Sequence, residues 1–282
     1  MRIDADVQVA VQLACLLEVA AAKPGNVTPT SSFGDARYEH YLASAAAIGP
    51  PLAAVDGGGL GATIRAAVRA TRACVKVNTN VGLILVLAPL ARAAATHRSP
   101  LPDAVRDVLG DLSVADAIET YAAIREARPG GLGAVAEQDV RGEPSVTLRE
   151  AMALAADRDS IAREYVTDFA ITFEMAAPAL VAARRAGMGW MDAVVQSYLE
   201  VLAEVPDTLI ARKAGREAAE AVSRAAGEAL AAGGVGTEAG RRAVAALDRE
   251  LRDPRNTRNP GTTADLTAAA LFVVLREHGE PI

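Results

Sequence analysis

A chain of 282 residues with 51% hydrophobic but only 4% aromatic residues draws its apolar content from Ala, Val and Leu, which favours helices over β-structure. Its formal charge of -6, from 29 basic against 35 acidic residues, excludes the basic profile of a general nucleic-acid binder. Its apolar runs are too short and interrupted to span a bilayer, its N-terminus carries no secretory pattern, and its two cysteines without metal-type spacing suit a reducing compartment. These features lead to the expectation of a cytoplasmic, all-α chain forming one compact multi-helix domain over residues 1–282. A chain of this size can bury about three quarters of its unfolded surface.

In chain order, Asp4 is placed to cap a helix that runs to about Ala22. Val7, Val11, Leu13, Leu16, Leu17 and Ala20 give that helix its apolar surface, and Glu18 falls among them as a carboxylate in need of a partner. Lys23-Pro24-Gly25-Asn26 ends the helix in a specified turn that holds Lys23 and Asn26 near its end. A helix over 37–48 follows. Gly57-Gly58-Gly59-Leu60-Gly61 has neither Walker spacing nor a preceding strand, so it reads as a flexible linker into a helix over 62–75.

Val77-Asn78-Thr79-Asn80-Val81-Gly82 precedes an apolar helix over 81–95, which Pro89 is expected to kink. Asn competes for backbone groups inside helices, so Asn78 and Asn80 read either as caps or as ligand groups at a buried helix start. Ser113 with Asp116, and Thr147 with Glu150, have capping-box spacing. The polar segment between those helices contains Asp139, its most notable carboxylate. Helical pattern continues to Ala183 and again from Trp190 to Leu202.

Pro206 and Asp207 mark another helix start, which groups Asp207, Thr208, Arg212 and Lys213 within about two turns. The last polar turn, Asn259-Pro260-Gly261-Thr262-Thr263-Ala264-Asp265, feeds an apolar helix through Leu275. Thr262 and Asp265 have capping-box spacing, and hydroxyl-rich amides at a helix N-terminus suit an anion.

These four turns, in this order, resemble the triphosphoribosyl-dephospho-CoA synthase family. Lys23-Pro24-Gly25 after a helix bearing Glu18 is similar to its N-terminal motif, and Asn78-Thr79-Asn80 with Gly82 to its central Asn-Thr-His-Lys-Gly motif. Asp207-Thr208 with Arg212, Lys213 and Gly215 resembles its Asp-Thr…Arg-Gly-Gly element, and residues 260–266 resemble its Ser-Pro-Gly-Gly-Ser-Ala-Asp-Leu element. Two departures stand out: Asn80-Val81 replaces the His-Lys pair, and Ser31-Ser32 occupies the place of an acidic or His-containing pair.

The resemblance implies an all-helical, Mg²⁺-dependent enzyme that transfers a triphosphoribosyl group from ATP to 3′-dephospho-CoA and releases adenine. A related transferase acting on another cofactor precursor, such as a pterin-like one-carbon carrier, and a non-catalytic nucleotide-binding helical protein are the alternatives. Glu18, Asp207 and Asp265 are the expected catalytic acids, and Glu18, Asn78 and Asp207 the expected metal ligands. Lys23, Asn78, Thr79, Asn80, Arg212, Lys213, Gly261, Thr262 and Thr263 are the expected nucleotide contacts. The expected partners are ATP and a small-molecule acceptor, with no nucleic acid and no membrane; the alanine-rich helices also admit a homodimer.

Overall fold

Helix succeeds helix along the chain. The structure, a computed structural model, describes residues 6–54, 58–96, 99–130, 133, 135 and 137–277. The first seven helices are α1 (Val7–Ala20), α2 (Tyr38–Ala53), α3 (Leu60–Cys74), α4 (Val81–Thr96), α5 (Leu101–Gly110), α6 (Val114–Ala127) and α7 (Leu148–Ala153). Then come α8 (Ser160–Val166), a π-helical turn (Ile171–Ala176), α9 (Ala177–Arg185), α10 (Trp190–Glu204), α11 (Thr208–Ala214) and α12 (Arg216–Ala231). A 3₁₀ turn (Gly234–Gly236), α13 (Glu238–Leu251) and α14 (Gly261–Glu277) complete the order. Among the described residues there is no strand beyond an isolated Thr28–Ser31 bridge, as the composition implies. No single described helix is long and apolar enough to cross a membrane.

The interior is organised by α4 and α14. Ile84, Val86, Leu87, Ala88, Leu90 and Ala91 of α4 are all fully buried, as are Ala268, Ala269, Ala270, Leu271, Phe272 and Val274 of α14. A helix apolar on every side has nowhere to sit but the core, and each fully buried Leu contributes about 2 kcal/mol. The two helices pack on each other, while α1 packs on α14 and α2, and α3 on α6.

Prolines inside these helices are accommodated chemically. Pro89 has no N–H to give Leu85, and the buried Tyr165 hydroxyl donates to the Leu85 carbonyl at 2.7 Å instead. The carbonyl that Pro89 leaves free is thus satisfied from a neighbouring helix, and α4 continues through the residue expected to kink it. Pro50 leaves the Ala46 carbonyl in the same position, and Gln12 Nε2 donates to it at 2.9 Å.

Both capping boxes form: Ser113 with Asp116, and Thr147 with Glu150. Asp6 caps α1, whereas Asp4 lies outside the described residues. The glycine cluster is not a plain linker. A Cβ on Gly61 would sit 2.3 Å from the Asp116 carbonyl oxygen, and the Gly61 amide donates to Asp116 Oδ1 at 2.9 Å. Gly59 and Gly61 therefore permit the close crossing of α3 and α6; Gly57 lies outside the described residues.

Glu164 ties α8 to the π-helical turn. It accepts from the Ile171 and Thr172 amides at 3.1 and 2.8 Å and from the Thr172 hydroxyl at 2.5 Å. Burial lifts its carboxyl from the ordinary value of 4.5 to about 7. A carboxyl raised on folding favours the native state fully below its unfolded value, and that contribution is lost as pH rises through about 7. From pH 5 to pH 8 the loss amounts to about 2–3 kcal/mol. Glu164→Gln is expected to remove that much of the stability difference between the two pH values in denaturant titrations, whatever its absolute stability. Identical pH dependence in both proteins would contradict a raised carboxyl.

Candidate active site

A cavity of about 930 Å³ opens where the buried ends of α4 and α14 meet the first polar turn and α11. Its wall includes Glu18, Asn26, Asn78, Thr79, Asn80, Gly82, Asp159, Arg212, Lys213, Gly261, Thr262 and Asp265. Residues from all four sequence motifs therefore share one space. Two core helices bring their N-termini, with the positive ends of their dipoles, to this wall.

Asp265 is an acid of the wall that has no partner among the described residues. It makes no hydrogen bond or ion pair among the described residues, although Thr262 stands one turn away. The expected Thr262–Asp265 capping box does not form, because α14 begins at Gly261 and Thr262 already lies within the helix. The Asp265 carboxylate instead faces the start of α4, where a Cβ on Gly82 would lie 2.1 Å from its Oδ2. Burial, with repulsion from Glu18, Asp207 and Asp159, pushes the Asp265 carboxyl well above its ordinary range, and Arg212 pulls partly against that shift.

Asp207 plays another part. Only 1% exposed, it does not line the cavity. Its Oδ1 accepts from the Leu209 and Ile210 amides at 2.9 and 3.0 Å, capping its own helix. Its Oδ2 accepts from the Thr263 amide and hydroxyl at 2.7 and 2.8 Å, capping α14 across 56 residues of sequence. One carboxylate thus joins two helix starts. Burial raises its pKa, and these four donors oppose the rise. The expected roles of Asp207 in chemistry and metal ligation, and of Thr263 in nucleotide contact, give way to this clamp: their polar atoms are engaged with each other.

Lys23 is likewise behind the wall. Fully buried, its ammonium pairs with Glu18 Oε1 at 2.9 Å and donates to the Glu18 and Ala21 carbonyls, the latter at 3.5 Å. It closes the C-terminus of α1, and this is a correction to its expected place beside phosphate. What it does is hold Glu18, 7% exposed, at the cavity.

The rest of this first turn is clasped from two sides. Asp248 Oδ1 accepts from the Gly25 amide at 2.8 Å, the Tyr198 hydroxyl donates to the Pro24 carbonyl at 2.8 Å, and Asn26 Nδ2 donates to Asn259 Oδ1 at 2.8 Å. Gly25 has φ +77°, and a Cβ there would meet Pro260 Cδ at 2.9 Å and Leu251 at 3.0 Å. Gly25→Ala is therefore expected to cost at least about 2 kcal/mol, read as a lower denaturant midpoint. An unchanged midpoint would show that the two turns are not in close contact.

The remaining expected contacts stand at the cavity with partners of their own. Asn78 Oδ1 accepts from the Val81 amide at 3.2 Å, so it caps α4 and faces the cavity at once. Asn80 Nδ2 donates to Thr71 Oγ1 at 3.1 Å, and the Thr79 and Ser44 hydroxyls lie 2.6 Å apart. Lys213 donates to the Asn256 carbonyl at 3.2 Å, and burial lowers its pKa. Arg212 pairs with Asp159 through Nη1, leaving its buried Nε without a partner. Asp159, the N-cap of α8, is a wall residue whose role the motif reading missed; its only signal was Asp ahead of Ser160 at a helix start. Asp139, the notable carboxylate of the polar segment, is held by Arg141 and the Val135 amide.

A family model described as CitG: ATP:dephospho-CoA triphosphoribosyl transferase matches residues 4–282. The chain belongs to the CitG family. One relative of this CitG chain, from Stutzerimonas stutzeri, is 37% identical over 105 residues, covering 37% of this chain and 36% of that protein. Another, from Pseudomonas savastanoi pv. phaseolicola, is 30% identical over 202 residues, covering 70% and 60%. Both are named, by inference, 2-(5″-triphosphoribosyl)-3′-dephosphocoenzyme-A synthases. The match spans less than two thirds of either relative. A crystal structure from Archaeoglobus fulgidus, described by inference as a triphosphoribosyl-dephospho-CoA synthase, is similar with a TM-score of 0.67 and 30% identity, covering 85% of this chain and all of that one. The expected resemblance and the all-helical CitG fold thus stand.

Proposed function

We propose that this CitG-family chain transfers the 5-triphosphoribosyl group of ATP to 3′-dephospho-CoA and releases adenine. The observation that carries this reading is the unpaired, raised Asp265 carboxyl in the same cavity as Glu18, Arg212 and Lys213. A substitution at ribose C1′ passes through an oxocarbenium-like state, which carboxylates stabilise. The 2′-hydroxyl of the acceptor attacks C1′ as the bond from C1′ to N9 breaks; the hydroxyl's proton passes to Asp265, and adenine leaves with a proton from water, to which Asp265 afterwards returns its own. A carboxyl raised toward neutrality is a better base than an ordinary one. Arg212 and Lys213 face the triphosphate, and Arg212 Nε has a donor to give.

Mg²⁺ belongs to the same proposal. Asp265 and Glu18 repel each other at one wall, and a dication relieves that repulsion. Among the described residues no three His, Cys, Asp or Glu side chains form a metal site, which suits an ion that takes most of its ligands from phosphate and water. Glu18, with the Asn78 carbonyl, would hold it; bound there, it would neutralise the triphosphate.

Mass spectrometry of products from ATP, Mg²⁺ and a panel of acceptors tests the acceptor. The expected product is triphosphoribosyl-3′-dephospho-CoA, with coenzyme A a poor acceptor because its 3′-phosphate crowds the attacking hydroxyl. Turnover with a different acceptor alone would overturn this choice.

A further inference from the structure

Phosphate-bearing substrates need cations, and the proposed reaction has two such substrates: a triphosphate donor and an acceptor carrying a pyrophosphate. Arg212 and Lys213 of α11 supply one cationic group. A second lies on other elements. Arg72 in the last turn of α3, Lys76 just beyond it and Arg128 at the end of α6 also line the cavity. None of the three has a carboxylate partner among the described residues.

Their neighbours are engaged elsewhere. Arg65 pairs with Glu119 and Glu126 at 2.9 and 2.8 Å, and Arg69 pairs with Glu126 at 2.9 Å. Arg125 donates to the Val140 and Gly142 carbonyls at 2.7 and 3.0 Å. Of the six acids on the cavity wall, Glu18, Asp139 and Asp159 are paired with Lys23, Arg141 and Arg212, and Asp35, Glu137 and Asp265 remain. A smaller hollow of about 370 Å³ lies beside the cavity and shares Arg72 and Arg128 with it, so these two guanidinium groups stand at one rim.

The backbone points the same way. Arg128 is the C-cap of α6 in the left-handed region, φ 54° and ψ 54°, a place that glycine fills without strain. A non-glycine residue there costs about 1 kcal/mol, and a cost retained at a cavity rim calls for a use of that side chain.

We infer that Arg72, Lys76 and Arg128 form a second anion subsite that takes the pyrophosphate of a nucleotide-like acceptor, apart from the Arg212–Lys213 group that takes the donor triphosphate. The inference deepens the transferase reading and rests on it for the name of the acceptor. Guanidinium groups bind pyrophosphate through charge-assisted hydrogen bonds, and the site orients the acceptor by its phosphates.

The double variant Arg72→Gln/Arg128→Gln tests it, with folding checked by circular dichroism. Titration of 3′-dephospho-CoA at low salt is expected to give about tenfold weaker binding than wild type, with ATP affinity within twofold. In turnover, KM for the acceptor is expected to rise by a similar factor while KM for ATP and kcat hold. Equal acceptor affinity in variant and wild type, or a loss confined to ATP, would overturn the subsite. Should the wild type bind 3′-dephospho-CoA through these arginines and release no adenine, the subsite stands and the transfer reading fails.

Discussion

Asp265→Asn is expected to lower kcat for adenine release by about 10²- to 10⁴-fold while raising the melting temperature. The two effects share one cause. Asp265 lacks a partner among the described residues, and burial and three neighbouring carboxylates disfavour its charge. A neutral amide of the same shape removes that penalty and removes the proposed proton acceptor with it. The sign follows from the raised pKa: the native state is favoured while the carboxyl is protonated and loses that advantage as pH rises through the folded value, so the variant's gain in stability grows with pH. The acid limb of wild-type kcat/KM is expected above the ordinary carboxylate range for the same reason. Wild-type kcat in the variant would remove Asp265 from the chemistry.

Asp207→Ala is expected to act in the opposite direction, lowering unfolding free energy by about 3–5 kcal/mol. It strands the Leu209, Ile210 and Thr263 amides and the Thr263 hydroxyl at two buried helix starts. With native stability of order 5–15 kcal/mol, such a loss unfolds a large share of a marginal protein. Asp207→Asn keeps the shape but turns an amide donor toward some of those N–H groups, so it is expected to fall between wild type and Ala. Denaturant midpoints rank the three proteins. A stable Asp207→Ala protein that has lost only turnover would return Asp207 to the catalytic acids.

The contrast between these two residues marks the limit of what sequence could tell. Both stood in family-like motifs beside hydroxyl-bearing residues, and both read as acids for chemistry. Only the fold separates them: the Thr263 donors that engage Asp207 are 56 residues away, and the Gly82 that makes room for Asp265 comes from another helix. Lys23 was legible as a functional cation beside Glu18, but not as a residue turned inward to close α1. Many of the helices were plain from apolar spacing and caps, though α5 was not among those expected and the pattern expected to run to Ala183 is broken after α7 and α8; Ser113, Thr147 and Asp207 all cap helices as their positions imply. Capping is local, so sequence records it; the Tyr165–Leu85 bond that repairs Pro89 spans 80 residues, so sequence does not.

The cavity also explains why small residues recur in these motifs. Gly25 lets the first turn lie against Pro260, and Gly82 lets α4 begin against the Asp265 carboxylate. Each close approach brings one motif to another, so the motifs form a shared wall.

The most direct test of nucleotide use at this wall is the fate of ATP. With 3′-dephospho-CoA and Mg²⁺, chromatography is expected to find free adenine and the triphosphoribosylated acceptor in equal amounts, with neither ADP nor AMP accumulating. ADP or AMP in place of adenine would mean that the broken bond lies in the phosphate chain and not at C1′, which would contradict the proposed chemistry of Asp265.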